Sequence, residues 1–308
     1  MRVVVALGGN ALLRRGEPMT PAAQLANIRI AATALADLAR DHEIVVTHGN
    51  GPQVGLLALQ GAAYDPDTPW PLDVLGAQTE GMIGYLIEQE LANALPLGSR
   101  CTTLLSRVEV DAKDPAFAAP SKPVGPVYTA PEAAKAARDH GWSMVTEASG
   151  GARRVVPSPP PLRILGLEAI TLLLEAGQCV ICAGGGGIPV MRDAGGAMIG
   201  VEAVIDKDRT AAMLARELNA DALLLLTDVP AVFLHWGTPQ QSAIGRTTPA
   251  AVEGLDLAAG SMGPKVDAAA GFVRTGGGFA GIGLLGEARS ILEGQSGTRI
   301  LPDPRSDQ

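Results

Sequence analysis

Residues 2–10, RVVVALGGN, and residues 43–55, EIVVTHGNGPQVG, carry one design twice. In each, an apolar, β-branched run ends at glycine: Gly8 and Gly9 after the first, Gly49 and Gly51 after the second. Such a run predicts a buried strand, and glycine at its end lets the backbone turn tightly. Between them, residues 20–41 place Leu25, Ile28, Ala32, Leu35 and Leu38 at helical spacing, with Thr20 as N-cap and Pro21 in the first turn. The start of the chain therefore reads strand, loop, helix, strand, loop, helix. This alternation predicts an α/β fold with an open, mainly parallel central sheet and helices on both faces. Ligands of such sheets bind beyond the carboxyl ends of the strands, where both glycine loops stand.

The same texture returns past Arg163. A helix is predicted over 166–177, then an apolar strand, QCVICA, that runs into Gly184–Gly187. A helix over 208–218 and a strand Ala222–Leu226, ending in Thr227-Asp228, follow. Gly263-Pro264 opens a further helix with Lys265 in its first turn, and the chain closes with a strand, a helix and an edge strand. Residues 100–110 read as one strand. Residues 74–95 read as a long helix whose internal glycines imply close packing, with another subunit as one candidate partner. From 111 to about 162 the texture changes: nine prolines, clustered charges and one short helix near 131–140. That is too long for a plain connection, so a small lid subdomain inserted in a single domain, 1–308, is expected.

Bulk composition narrows the function. The chain has 308 residues, 47% hydrophobic and 18% charged, as in soluble globular proteins. A net charge of −8 argues against nucleic acid as a partner. No apolar window is long enough for a membrane span, and the N-terminus lacks a signal-peptide pattern, so a cytoplasmic location is expected. Cys179 and Cys182 form a C-x-x-C, but on a strand they would face opposite sides, so no metal or redox role is expected for them.

Only five of the 24 basic residues are lysines: Lys113, Lys122, Lys135, Lys207 and Lys265. A lysine kept in so arginine-biased a chain points to chemistry that needs a compact charge. Lys135 lies in an Ala-rich helical run and reads as solvated. Lys207 sits between Asp206 and Asp208, some twenty residues after the four glycines, and Lys265 adds charge to the positive end of a helix, which favours a bound anion. Glycine N–H donors with a nearby lysine point to phosphate. Neither the P-loop nor the dinucleotide fingerprint is present. The residue set suits phosphoryl transfer, in which the protein positions groups and neutralises charge. His48 stands beside a turn, where such a residue more often bonds backbone, and is not counted as catalytic.

At this point the motifs ALGGNAL, HGNGPQVG, VDAKDPAF, PSKPVGP, RRVVPSPPP, ICAGGGGIPV, GVEAVIDKD, LTDVPAVF and AAGSMGPKVDAA resemble those of the carbamate kinases, a branch with the amino acid kinase fold. The resemblance runs from about residue 3 to 301. It implies a three-layer αβα sandwich, a homodimer, and Mg²⁺-dependent transfer between ATP and carbamate, giving ADP and carbamoyl phosphate. In cells the family's reaction often runs towards ATP at the end of arginine deimination. Carried over by motif, Lys122, Lys207 and Lys265 would meet the phosphates and the transferred group, and Asp208 would hold the lysines. Gly8, Gly9, Asn10, Gly49, Asn50 and Gly51 would cradle the carbamate end. Gly185, Gly186, Asp206, Thr227, Asp228 and Val232, with Lys207 and Lys265, would lie near ATP or ADP. The nucleotide would bring the Mg²⁺, with no metal site of the protein's own. One departure stands out: where the family usually has Arg-Gly-Trp, this chain has Gly150-Gly151-Ala152, so the lid lacks a cation and an indole. Two other functions stay open on sequence: a relative acting on another small carboxylate or carbamate, and a non-catalytic nucleotide or carbamoyl phosphate sensor.

Overall fold

In the computed structural model, residues 1–13, 17–18, 20–65, 67–147, 150–255, 257 and 262–304 are described. The chain begins β1 (Arg2–Leu7), α1 (Gly9–Leu12), α2 (Pro21–Ala39), β2 (Glu43–His48), α3 (Gly51–Tyr64) and α4 (Leu72–Ala94). Next come β3 (Cys101–Thr103), β4 (Arg107–Val110), β5 (Lys122–Tyr128), α5 (Ala130–His140), β6 (Met144–Thr146), β7 (Ala152–Val156) and β8 (Pro161–Ile164). Then follow α6 (Leu167–Glu175), β9 (Cys179–Ile181), β10 (Ile188–Arg192), β11 (Met198–Gly200), α7 (Lys207–Glu217) and β12 (Ala222–Thr227). The last part holds β13 (Val232–Leu234), β14 (Ser242–Ile244), β15 (Arg246–Thr247), α8 (Pro249–Val252), α9 (Met262–Arg274), β16 (Phe279–Leu284), α10 (Ala288–Glu293) and β17 (Thr298–Ile300).

The main sheet has eight strands in the order β15-β17-β16-β12-β1-β2-β9-β3. Every neighbouring pair is parallel except β16 and β17. Alternation along β1 splits its side chains between two cores. Val3, Val5 and Leu7 pack with Ile28 of α2, Ile83 of α4 and Ile291 of α10. Val4 and Ala6 pack with Leu174 of α6, Leu214 of α7 and Phe272 of α9. Three layers result, as expected. Burying each large aliphatic side chain contributes roughly 1.5–3 kcal/mol, so the two cores fix β1 and the loop that follows it. Cys179 and Cys182 lie in opposite cores, as strand alternation demands. Thr20 caps α2 by accepting from the N–H of Ala23 at 3.3 Å. No helix among the described residues is long and apolar enough to cross a membrane.

Three expectations change. Residues 100–110 are not one strand: β3 joins the main sheet, while β4 joins a second sheet ordered β11-β10-β4-β8. The break falls at 104–106, where Leu104 N–H still bonds Ile181 and Ser106 turns to the next layer. The proline-rich stretch holds strands as well as its one α-helix. Its strands form a separate antiparallel sheet, β5-β7-β6, flanked by α5. β17 is not the edge, because β15 pairs beyond it. The close packing predicted for α4 is met within the chain: a Cβ at Gly84 would lie 2.4 Å from Thr103 Cγ2.

The small sheet sits on the body through Val124 and Val156, which pack with Val54 and Ala58 of α3, Leu72 and Leu75 of α4, and Val204. Gly125, at φ +75°, touches Gly55 of α3 so closely that a Cβ on Gly55 would fall 1.9 Å from Gly125 Cα. An indole is present on this sheet despite the sequence departure: the Arg154 guanidinium lies 4.3 Å from the Trp142 ring centroid.

Candidate active site

The carboxyl ends of β1, β2 and β12 open into a cleft of about 1210 Å³. That exceeds the roughly 300–1,000 Å³ of ordinary small-molecule sites and leaves room for two substrates. Both glycine loops reach it, through Gly8 and Gly9 and through Gly49, Asn50 and Gly51. Gly185 lines it from the third loop, and Thr227 and Asp228 from the end of β12. Lys122 enters from β5, Asp206, Lys207 and Asp208 from the start of α7, and Lys265 from α9. The structure thus brings together residues up to 257 positions apart in the chain, Gly8 and Lys265.

Two residues singled out from the sequence stand elsewhere, and a third is not described. Gly186 lies behind the wall, where a Cβ would meet Ile205 O at 2.6 Å. Val232 faces the core, and its chain neighbours Ala231 and Phe233 line the cleft instead. Asn10 lies in α1, and its side chain falls outside the described residues.

Three lysines and two aspartates make a connected cluster. Lys207 Nζ donates to Asp208 Oδ1 at 2.7 Å, and Lys265 Nζ to Asp208 Oδ2 at 3.1 Å. Lys122 Nζ donates to Asp206 Oδ2 at 2.7 Å across 84 residues of chain. Asp206 also caps α7, accepting from the N–H groups of Asp208 at 2.9 Å and Arg209 at 3.2 Å. The cluster carries one net positive unit inside a protein of net charge −8. α3, α7 and α9 all begin at the cleft, so their positive dipole ends add to that focus. The helix-start position of Lys265 is balanced by Asp208.

Proton affinities follow from burial and pairing. Burial alone would raise the Asp206 carboxyl, but the charge and hydrogen bond of Lys122, then Lys207, hold it far below the usual carboxylate range. Asp208 is likewise held down by Lys207 and Lys265 against its burial. Lys265 falls to about 8, because burial and then repulsion from Lys207 disfavour its charge. Lys207 moves upward: burial opposes its charge, but contact with Asp208 outweighs it. His48 is fully buried, and burial drops it to about 4, so it is neutral.

The structure adds residues that sequence reasoning missed. Phe233 and Trp236, with ring centroids 5.2 Å apart, line one end of the cleft. Trp236 is one of three tryptophans in an aromatic-poor chain, which was the available signal. Arg153 and Glu147, paired at 2.9 Å, line it from the small sheet. Among the described residues no group of three or more His, Cys, Asp or Glu is placed to hold a metal ion.

Comparison with known proteins agrees with this geometry. The profile of the amino acid kinase family matches residues 1–278. A carbamate kinase of Rhizobium meliloti is 55% identical over 302 residues, covering 97% of this chain and 93% of its own. One of Haemophilus influenzae is 54% identical over 300 residues, covering 97% and 96%. The solved carbamate kinase of Giardia lamblia bound to AMP-PNP superposes with a TM-score of 0.87 at 40% identity, covering 98% of each chain.

Proposed function

We propose, for a chain that belongs to the amino acid kinase family and acts as a carbamate kinase, the following division of labour in the cleft. The observation that carries it is the buried Lys207–Asp208–Lys265 bridge facing the glycine loops. In the ATP-forming direction, a β-phosphate oxygen of ADP attacks the phosphorus of carbamoyl phosphate. The bond from phosphorus to the carbamate oxygen breaks, and carbamate leaves. Negative charge spreads over the transferring oxygens, and Lys207, Lys265 and Lys122 neutralise it. Asp208 keeps the first two lysines aimed between turnovers. N–H groups of Gly8, Gly9, Gly49 and Gly51 hold the carbamoyl end, with Asn10 and Asn50 beside them. The nucleotide lies along Gly185, Thr227 and Asp228 towards Phe233 and Trp236, with Gly186 and Val232 supporting it from behind.

A divalent cation, Mg²⁺, would ride on the nucleotide phosphates and neutralise part of their charge. The chain fits this, since Asp206 and Asp208 are already engaged by lysines. The small sheet acts as a lid inserted at about 111–162 within one domain, delivering Lys122. The partner of the chain is a second copy of itself: Met82 and Tyr85 are exposed three residues apart on α4, with exposed Leu105 against the same helix. The three free thiols suit the reducing cytoplasm, and the reaction runs towards ATP in arginine breakdown.

The test is direct. Purified protein with ADP, Mg²⁺ and carbamoyl phosphate should produce ATP, read by a coupled assay. ADP binding without ATP formation would refute the activity.

A further inference from the structure

Behind the cleft, α4 presents two consecutive buried polar side chains, Thr79 at 0% exposure and Glu80 at 1%. Neither lines the cleft, yet each grips a loop that does. Glu80 Oε1 accepts the Gly184 N–H at 2.9 Å, and Oε2 accepts the Ser106 N–H at 3.1 Å. Ser106 Oγ in turn accepts the Ala183 N–H at 3.0 Å, and Thr47 donates to the Ala183 carbonyl at 2.8 Å. Thr79 Oγ1 accepts from Asn50 Nδ2 at 2.9 Å while donating to Gly76 O at 2.8 Å. The two loops also touch each other. A Cβ on Gly184 would fall 2.3 Å from His48 Nε2, and one on Gly185 2.1 Å from Asn50 Nδ2. So α4 ties together the loop at 48–51, the loop at 183–187 and the 104–106 break between β3 and β4.

We infer that Glu80 is a positioning residue for phosphoryl transfer: its carboxyl, with Thr79 beside it, sets the register between the two glycine loops that face the transferred group. A buried acid is otherwise a poor choice here. The positions on the same face of α4, Ile83, Ile87 and Leu91, are apolar, and a leucine would bury more cheaply. Burial pushes the carboxyl up to about 8, against the pull of the two N–H donors that favour its charged form. A group retained at such expense in a wall behind a reaction site is one whose geometry matters there. Each carboxyl oxygen accepts from a different backbone segment, and even the protonated acid keeps an oxygen lone pair on both sides, which an amide does not. In Glu80→Gln one amide N–H₂ must face a backbone N–H, at unchanged side-chain volume.

The inference rests on the cleft being the phosphoryl-transfer site, which wild-type ATP formation tests separately. The experiment compares wild type with Glu80→Gln for kcat, for KM of carbamoyl phosphate, and for ADP affinity by titration calorimetry, with circular dichroism and thermal unfolding as the fold control. Small displacements of aligned groups lower rates on the order of 10–100-fold. Glu80→Gln is expected to lose kcat by about that factor, with ADP affinity within threefold and a native spectrum. Should Glu80→Gln fail to fold, Thr79→Val, of equal volume, frees Asn50 alone and is expected to lower kcat about tenfold with ADP affinity kept. A folded Glu80→Gln with kcat within twofold of an active wild type overturns the inference. So does a parallel fall of kcat and ADP affinity in proportion to folded fraction, or a Thr79→Val with normal kcat where Glu80→Gln cannot be made.

Discussion

Lys265 and Lys122 reach the same cleft by different means. Lys265 rises from α9, a core helix whose Val266, Ala269 and Phe272 are buried, and is itself 5% exposed. Its ammonium shares Asp208 with Lys207, so three charges are locked before any ligand arrives. Lys122 stands on a three-stranded sheet built from proline-rich sequence. Its link to the site is one ion pair with Asp206, with both side chains more than a fifth exposed. The body is held by two large cores and the small sheet by a seven-residue cluster with one glycine–glycine contact. One half of the site is therefore preorganised, and the other half depends on docking. Rigid groups aimed at developing charge supply most of the rate, while a docked cation can close over the substrates and let products go.

The preorganised half is most sensitive at Asp208. Asp208→Ala leaves two buried ammoniums without their carboxylate, which should cost about 3–5 kcal/mol of stability, read by urea unfolding. Activity should fall on the order of 10²–10³-fold in this variant and in Lys207→Ala, the latter keeping its fold. Near-normal ATP formation in Lys207→Ala would place the reaction elsewhere. Lys122→Ala should lose about 10–100-fold in kcat. Its stability should change by about 1 kcal/mol or less, because the pair is partly exposed and screened by solvent. The pairing depresses Asp206 below the ordinary aspartate value of 3.8. Its contribution to stability is therefore present above pH 3.8 and lost as pH falls through the lower folded value. Lys122→Ala should flatten that acid limb, and an unchanged limb would show that the pair does not form in solution.

Gly125→Ala sharpens the docking half. A side chain in the left-handed region costs about 1–2 kcal/mol, and here it also presses on Gly55. The small sheet should sit off the body, and kcat should drop by no more than in Lys122→Ala. The double variant should be no slower than Lys122→Ala alone; a multiplied loss would mean that the sheet does more than deliver one lysine. The mildest effect is that of pH on the preorganised half. With Lys265 lowered to about 8, its charged form prevails below that pH. The limiting slope at low substrate, kcat/KM, reports the free enzyme and should decline as pH rises past about 8. A flat profile up to pH 9.5 would leave Lys265 out of the charge balance.

Much of the site could be read before folding was known. Gly8, Gly9, Gly49 and Gly51 follow strands, and that local pattern alone sends them to the carboxyl edge. Lys122, Lys207 and Lys265 stood out by scarcity. Val232 could not be placed, because which face of a short strand looks inward depends on what packs against it. Glu80 left one faint trace: it falls on the apolar stripe of α4, with Ile83, Ile87 and Leu91. An acid on such a stripe demands a buried partner, but its partners at Ser106 and Gly184 lie 26 and 104 residues away.

By itself, the sequence determined the layered α/β architecture and the edge at which ligands bind. Strand and helix periodicities and glycine turns are local, and they act over a few residues. The tertiary structure alone decided that residues 100–110 divide between two sheets, that the proline-rich stretch makes a sheet of its own, and that Asp208 bridges two lysines while Asp206 takes the third. Those outcomes depend on burial and on charges meeting across long separations, where pairing energies are set by distance and dielectric and not by neighbours in the chain.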